Sequence, residues 1–226
     1  MHVGNARYLK REDLPEAIPV FPLTGALLLP SGQLPLNIFE PRYLSLIDDA
    51  LTTHRLVGMV QPVFGNERAE EPATDTPALC QVGCIGRITS FAETGDGRYI
   101  VSLTGVCRYR LLEEVRSGKS YRNFRIAPFI ADLTASDDER SVDREALLAA
   151  FKAYLDANKL EADWESVERA SNTTLVNSMA MMSPYGPAEK QALLEAPDLK
   201  TRAETLIAIT EIVLARSYGD VDTMLQ

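Results

Sequence analysis

Pro187-Ala188-Glu189-Lys190-Gln191-Ala192-Leu193-Leu194-Glu195-Ala196-Pro197-Asp198-Leu199-Lys200-Thr201 is the stretch on which the reading of this chain turns. Two prolines bracket a helix. Pro187 suits the first helical turn, where a missing N–H leaves nothing unsatisfied, and Pro197 ends it. Asp198 then serves as N-cap for a last helix whose Leu206, Ile209, Ile212 and Val213 recur on one stripe. The helical period extends upstream. Leu147, Leu148, Phe151 and Leu155 form one stripe over 143–158. Asp163 caps a helix expected to run from Trp164 to about Met182, with Leu175, Met179 and Met182 in line, until Ser183-Pro184-Tyr185-Gly186 breaks it.

The first half carries the shorter, apolar runs of strands. Ile18 to Leu23, Ala26 to Leu29, Leu34 to Phe39 and Leu56 to Val63 are four such runs. One helix interrupts them at 41–53, opened by Pro41, with Tyr43, Leu44, Ile47, Ala50 and Leu51 on a face. Residues 65–77 have no period and read as an exposed loop. Leu79 to Phe91 and Tyr99 to Glu113 form a hairpin about Asp96-Gly97, and Tyr121 to Ile130 is a last strand. Gly83, Gly86 and Gly105 inside these strands predict bulges or sharp curvature. The polar stretch at 131–142 marks the change of period. The expected organisation is a β-rich domain at 1–133 and a helical bundle at 134–226.

Three blocks together resemble one family. The stretch quoted above is similar to the segment that closes the substrate-binding domain of Lon proteases. Val20-Phe21-Pro22-Leu23 with Leu34-Pro35-Leu36-Asn37-Ile38-Phe39-Glu40-Pro41-Arg42-Tyr43 resembles its opening. Val82 to Ile88, Asp96 to Tyr99 and Gly105 to Arg108 resemble its middle. The blocks occur in family order over roughly residues 18 to 216. The resemblance implies an α+β fold: a PUA-like β-barrel (a pseudobarrel) followed by a C-terminal helical bundle. It also implies a stand-alone, non-catalytic polypeptide-binding module that takes unfolded or degron-bearing chains. Such a module serves protein quality control or proteolysis and works with a Lon-type or other ATP-dependent protease. The ATPase and Ser-Lys protease domains of full-length Lon have no counterpart in the sequence.

Composition narrows the classes. The 226 residues carry a net charge of −9, whereas a general phosphate-binding surface is basic, so nucleic acid is disfavoured as a partner. Cys80, Cys84 and Cys107 are too few for a disulfide framework, and with only His2 and His54 they complete no zinc set. No metal and no cofactor are expected. No apolar run reaches membrane-spanning length and no secretory leader is legible, so the expected setting is a bacterial-type cytoplasm without membrane association.

Catalytic motifs fail their context tests, and no catalytic residue is expected. Gly118-Lys119-Ser120 lacks the first glycine of a phosphate loop and precedes a strand rather than a helix, so it reads as a surface turn. Ser178 and Lys190 lie outside the region where the family keeps its dyad. Candidate peptide-binding residues are Phe39, Glu40, Arg42, Tyr43, Met59, Met179 and Met182. The first four join a strand to a helix, where loops present side chains, and the methionines make adaptable apolar contacts. The commoner fate of Phe39 and Tyr43 is core anchoring, that of the methionines is core filling, and Glu40 is accounted for by the helix dipole. The alternative function is an RNA-binding PUA-like module, resting on Arg87, Arg108, Arg110, Arg122 and Arg125 in the strand region.

Overall fold

The computed structural model describes residues 1–63, 77–134 and 137–224. The loop read at 65–77 lies outside the described residues except for Pro77, as do residues 135 and 136 of the polar boundary. The chain divides into two compact units. One comprises Met1–Ser136 and Tyr185–Leu194, the other Asp137–Pro184 and Glu195–Gln226.

The first unit holds eight strands among the described residues: β1 (His2–Val3), β2 (Ala6–Arg7), β3 (Ala17–Pro22), β4 (Gln33–Ile38), β5 (Leu56–Val60), β6 (Val82–Glu93), β7 (Tyr99–Val115) and β8 (Asn123–Pro128). It also holds α1 (Pro41–Thr52). β1 and β2 pair with each other, and the rest run in the order β4-β7-β6-β5-β3-β8. β8 pairs with β3 on one side and β7 on the other, so the hydrogen-bonded order returns to β7. All pairings are antiparallel except β3 with β5, whose connection passes through β4 and α1.

The long hairpin β6–β7 turns through Gly95 and Gly97, both at positive φ (79° and 86°), which glycine adopts without a Cβ clash. Register shifts at Ile85/Gly86 and Leu111/Glu114 supply the curvature that closing the pairing order requires. Gly58 and Gly83 make room for one buried ring. A Cβ on either would stand 2.6–2.7 Å from the Tyr109 hydroxyl, which donates to the Met59 carbonyl at 3.2 Å. Around Tyr109, Ile18, Val20, Leu56, Ile85, Val106 and Phe124 form the core.

Ala26 to Leu29 is not a strand. Leu27, Leu28 and Leu29 are buried in an irregular segment whose end is tied by Ser31 N–H to the Gly105 carbonyl and Gly105 N–H to the Gly32 carbonyl, both at 2.9 Å. Apolar content signals burial, and by itself it does not specify strand pairing.

The helix between the two prolines, α5 (Pro187–Glu195), follows α2–α4 in the chain, yet residues through Leu194 belong to the β-rich unit. By its place in the sequence, after residue 134, it is expected in the helical half. Polar side chains dock it. Gln61 Nε2 donates to the Pro187 carbonyl (3.0 Å) and to Gln191 Oε1 (3.1 Å). Gln191 Nε2 donates to the Val82 carbonyl (3.1 Å), and Lys190 Nζ to the Gly25 carbonyl (2.9 Å). Arg108, held by Asp132 in a two-pronged ion pair, donates to the Leu194 carbonyl at 3.2 Å. The residues that make this stretch recognisable therefore fasten a helix to a sheet.

The second unit contains α2 (Arg144–Asn158), α3 (Trp164–Arg169), α4 (Asn172–Met182) and α6 (Leu199–Met224). The single helix expected from Trp164 to about Met182 is two. Arg144 gathers the carbonyls of Val167, Glu168 and Ala170 where α3 ends. Ser171 then caps α4 by accepting from Thr174 N–H, and the Glu139 carboxylate accepts from the N–H groups of Asn172 (2.8 Å) and Thr173 (3.0 Å). These bonds satisfy orphan groups at both helix ends and so lower the cost of the break.

Candidate functional site

Phe39 to Tyr43 crosses from β4 into α1. Pro41 takes the first helical position, and Glu40 is the N-cap, though its carboxylate makes no capping hydrogen bond. Instead Glu40 Oε2 accepts from Arg42 Nε (3.0 Å) and Nη2 (2.9 Å). The Arg42 guanidinium lies 4.7 Å from the centre of the Tyr43 ring. Tyr43 in turn packs on Phe21 of β3, with ring centroids 4.2 Å apart.

These residues wall a cavity of about 490 Å³ within the β-rich unit. Val20 and Pro22 of β3 form one side. Glu40, Pro41, Arg42 and Tyr43 form a second, and Ser120, Tyr121 and Arg122 with Pro77 complete it. The far wall is fastened to α1, because Tyr121 donates to Asp49 Oδ2 at 2.6 Å and Lys119 pairs with the same oxygen at 2.9 Å. Those two donors hold the Asp49 carboxyl below its usual range. Arg122 is gripped by Glu114 through two bonds of 2.8 Å and donates to the Pro77 carbonyl at 2.7 Å. Burial raises the Tyr43 hydroxyl above the ordinary phenol value, so it stays protonated and available as a donor. The cavity combines an apolar, aromatic floor with a rim of both charges, the chemistry of a site that takes an apolar group and orients polar ones.

The candidate residues part company. Glu40, Arg42 and Tyr43 line this cavity. Phe39, whose commoner fate is core anchoring, is 62% exposed and is not among the lining residues. Met59 is buried in β5 and Met179 in α4, so neither presents a contact surface, whereas Met182 is 84% exposed. Val20, Pro22, Pro77, Ser120 and Tyr121 also line the cavity and are not among the candidate peptide-binding residues. No local signal marks them, since they come together only through pairing of distant strands.

The arginines of the strand region do not make a free basic patch. Arg108 is buried against Asp132, Arg122 is held by Glu114, and Arg125 pairs with Glu113 at 3.3 Å. Arg87 donates to the Tyr8 hydroxyl, the His54 carbonyl and Asn5 Oδ1. Arg110 faces solvent. Gly118 sits in the turn between β7 and β8 at φ 67°, and Lys119 is spent on Asp49. Among the described residues Cys80, Cys84 and Cys107 form no disulfide, and no group of metal-binding side chains occurs. No helix among the described residues is long and apolar enough to cross a membrane.

The family model of the ATP-dependent protease La (LON) substrate-binding domain matches residues 17–211. Lon protease 2 of Myxococcus xanthus is 29% identical over 208 residues, which is 89% of this chain and 24% of that protein. The Lon protease of Parabacteroides distasonis is 31% identical over 220 residues, 93% of this chain and 25% of that protein. The chain thus spans about a quarter of the length of these curated relatives. Among solved structures, the Lon N-terminal domain protein from Xanthomonas campestris superposes with a TM-score of 0.60 at 22% identity, covering 85% of this chain and 97% of that one. The N-terminal domain of the Mycobacterium avium complex Lon protease gives 0.64 at 18%, covering 86% and 98%. The two structural likenesses concern the fold, and the sequence match extends over most of the chain: it belongs to the Lon substrate-binding domain family.

Proposed function

We propose that this chain is a non-catalytic polypeptide-binding module that captures unfolded or degron-bearing segments, and that the cavity at the start of α1 is where it does so. The observation that carries this reading is the cavity of about 490 Å³, walled in part by Glu40, Arg42 and Tyr43. Concave pockets of this size that combine apolar contacts with placed polar groups are the usual form of a binding site. In this reading the closed pairing order is the PUA-like barrel of the family, and it holds the site rigid. A Lon-type or other ATP-dependent protease is the partner that consumes the captured chain, in the cytoplasm. Three cysteines in no disulfide fit that reducing setting.

A salt titration tests the reading. Apolar capture of a denatured model protein survives a rise from about 50 to 200 mM salt, whereas binding through phosphates falls steeply over that range. Salt-resistant polypeptide binding without binding of single-stranded RNA is the expected result. Salt-sensitive RNA binding without polypeptide binding would overturn it. The purified chain is expected to hydrolyse neither ATP nor casein.

A further inference from the structure

The negative charge of the chain is concentrated in its second unit. That unit, Asp137–Pro184 with Glu195–Gln226, carries sixteen of the 32 acidic residues and only eight of the 23 basic ones. It therefore holds −8 of the net −9, and the β-rich unit, with sixteen acids against fifteen bases, is nearly neutral. A surface on the helical unit thus stands in a negative field that the cavity of the β-rich unit does not share.

An exposed apolar corner lies in that field. Trp164, the one tryptophan of the chain, opens α3 and is 39% exposed. Its ring meets that of Phe151 of α2 edge-on, with centroids 6.2 Å apart. Leu160, four residues before it, is 52% exposed, and its N–H bonds the Leu155 carbonyl at 2.9 Å. Phe151 and Leu155 lie one turn apart on α2, so Leu160 and Trp164 emerge at the same corner, where α2 ends and α3 begins. Arg144 steadies the short α3 by donating to the Val167 and Glu168 carbonyls.

The charges of the corner are mostly acidic. Asp156, Glu161, Asp163, Glu165 and Glu168 are all exposed, against Lys152, Lys159 and Arg169. Asp163 caps α3, and Glu165 pairs with Arg169 at 3.3 Å. Asp156, Glu161 and Glu168 have no ion-pair partner among the described residues. The C-terminal end of α2, fifteen residues long and with no base in its last turn, adds negative potential at Leu160. A lysine or arginine fits such a corner twice over. Its stem lies on apolar surface while its charge meets a carboxylate, and an indole face attracts the cation itself.

We propose that the α2–α3 corner of the helical unit binds a basic polypeptide segment. Its lysine or arginine side chains are set against Asp156, Glu161 and Glu168, and an apolar side chain of the segment rests on Trp164 and Leu160. The surface is separate from the cavity of the β-rich unit, and it selects its partner by charge.

The single tryptophan makes the test local. A short peptide of lysine, arginine and leucine, free of tryptophan, is titrated into the full chain while Trp164 emission is read. Its counterpart carries glutamate at every basic position. The basic peptide gives a saturable emission change that weakens several-fold from about 50 to 200 mM salt, and the acidic one gives none. The double substitution Glu161→Lys with Glu168→Lys, at two exposed positions, weakens the basic peptide about tenfold. If that variant loses its native thermal transition, Leu160→Ser serves instead and weakens binding several-fold through lost apolar contact. Equal binding of the two peptides overturns the proposal, as does basic-peptide binding that the variants leave unchanged. Binding seen by anisotropy of a labelled peptide without any change in Trp164 emission places it elsewhere and also overturns it. Emission that shifts with protein concentration alone would assign the corner to a second copy of the chain. Capture of a denatured model protein that resists salt is read separately, and it stands or falls independently of this corner.

Discussion

Gln61 and Gln191, 130 positions apart in the chain, share a buried side-chain hydrogen bond of 3.1 Å. Gln61 also bonds Gly25 N–H and the Pro187 carbonyl, and Gln191 the Val82 carbonyl. Two amides thus join the segment after β3, the end of β5, the start of β6 and α5. Replacing Gln191 by Ala strands a buried donor on Gln61 and the Val82 carbonyl. We expect a loss of about 1–3 kcal/mol in urea unfolding. A double-mutant cycle with Gln61→Ala gives a coupling of about 0.5–3 kcal/mol. Purely additive effects would show that the amides do not act as a pair.

Two ion pairs in the same unit differ in burial and so in consequence. The Arg108 and Asp132 side chains are 6% and 10% exposed, those of Arg125 and Glu113 are 57% and 70% exposed. Arg108→Leu leaves Asp132 buried without its counter-charge and frees the Leu194 carbonyl, so it destabilises by about 3–5 kcal/mol. Arg125→Leu changes stability by less than about 1 kcal/mol. Comparable effects on the denaturation midpoint would contradict this ranking.

The latch between α1 and the β7–β8 turn makes part of the stability acid-sensitive. Tyr121 and Lys119 hold the Asp49 carboxyl below its usual 3.8. A carboxyl depressed in the folded state contributes stability that is fully present above the unfolded value and is lost as pH falls through the folded one. Stability profiles from about pH 2 to pH 6 should therefore fall less steeply at the acid end for Asp49→Asn than for the parent chain. Superimposable profiles would show that the latch carries no such linkage.

Thiol reactivity should follow burial. Cys84 and Cys107 are fully buried, and desolvation, with the Asp132 carboxylate adding to it, pushes the Cys107 thiol up to about 12. Cys80 is partly exposed. At neutral pH a thiol reagent is expected to label Cys80 first, with Cys84 and Cys107 reacting only on unfolding. Rapid labelling of Cys107 in the native chain would contradict its placement.

The legible part of the site was the segment at Phe39 to Tyr43, because a strand-to-helix junction with Pro41 at its start is a local pattern. Which of its aromatics would be buried was not legible. Tyr43 meets Phe21 across the fold and goes inside, while Phe39, one residue before the cap, stays out. The methionines were read as one class, yet Met59 and Met179 are core and Met182 is not. Periodicity places a residue on a face, and what covers that face is a separate question.

The amino-acid sequence alone determined α1 from its Pro41, the β6–β7 hairpin from Asp96-Gly97, α5 from its bracketing prolines, and the helical character of the second half. These depend on backbone dihedrals, caps and residue period, which neighbours within a few positions decide. Tertiary structure alone decided that β8 closes onto both β3 and β7, that Arg108 is buried against Asp132 rather than offered to a phosphate, and that α5 returns to the sheet through Gln61 and Gln191. Those outcomes turn on which distant groups satisfy a buried donor or charge, and the partner's identity is set by the fold rather than by the residues next along the chain.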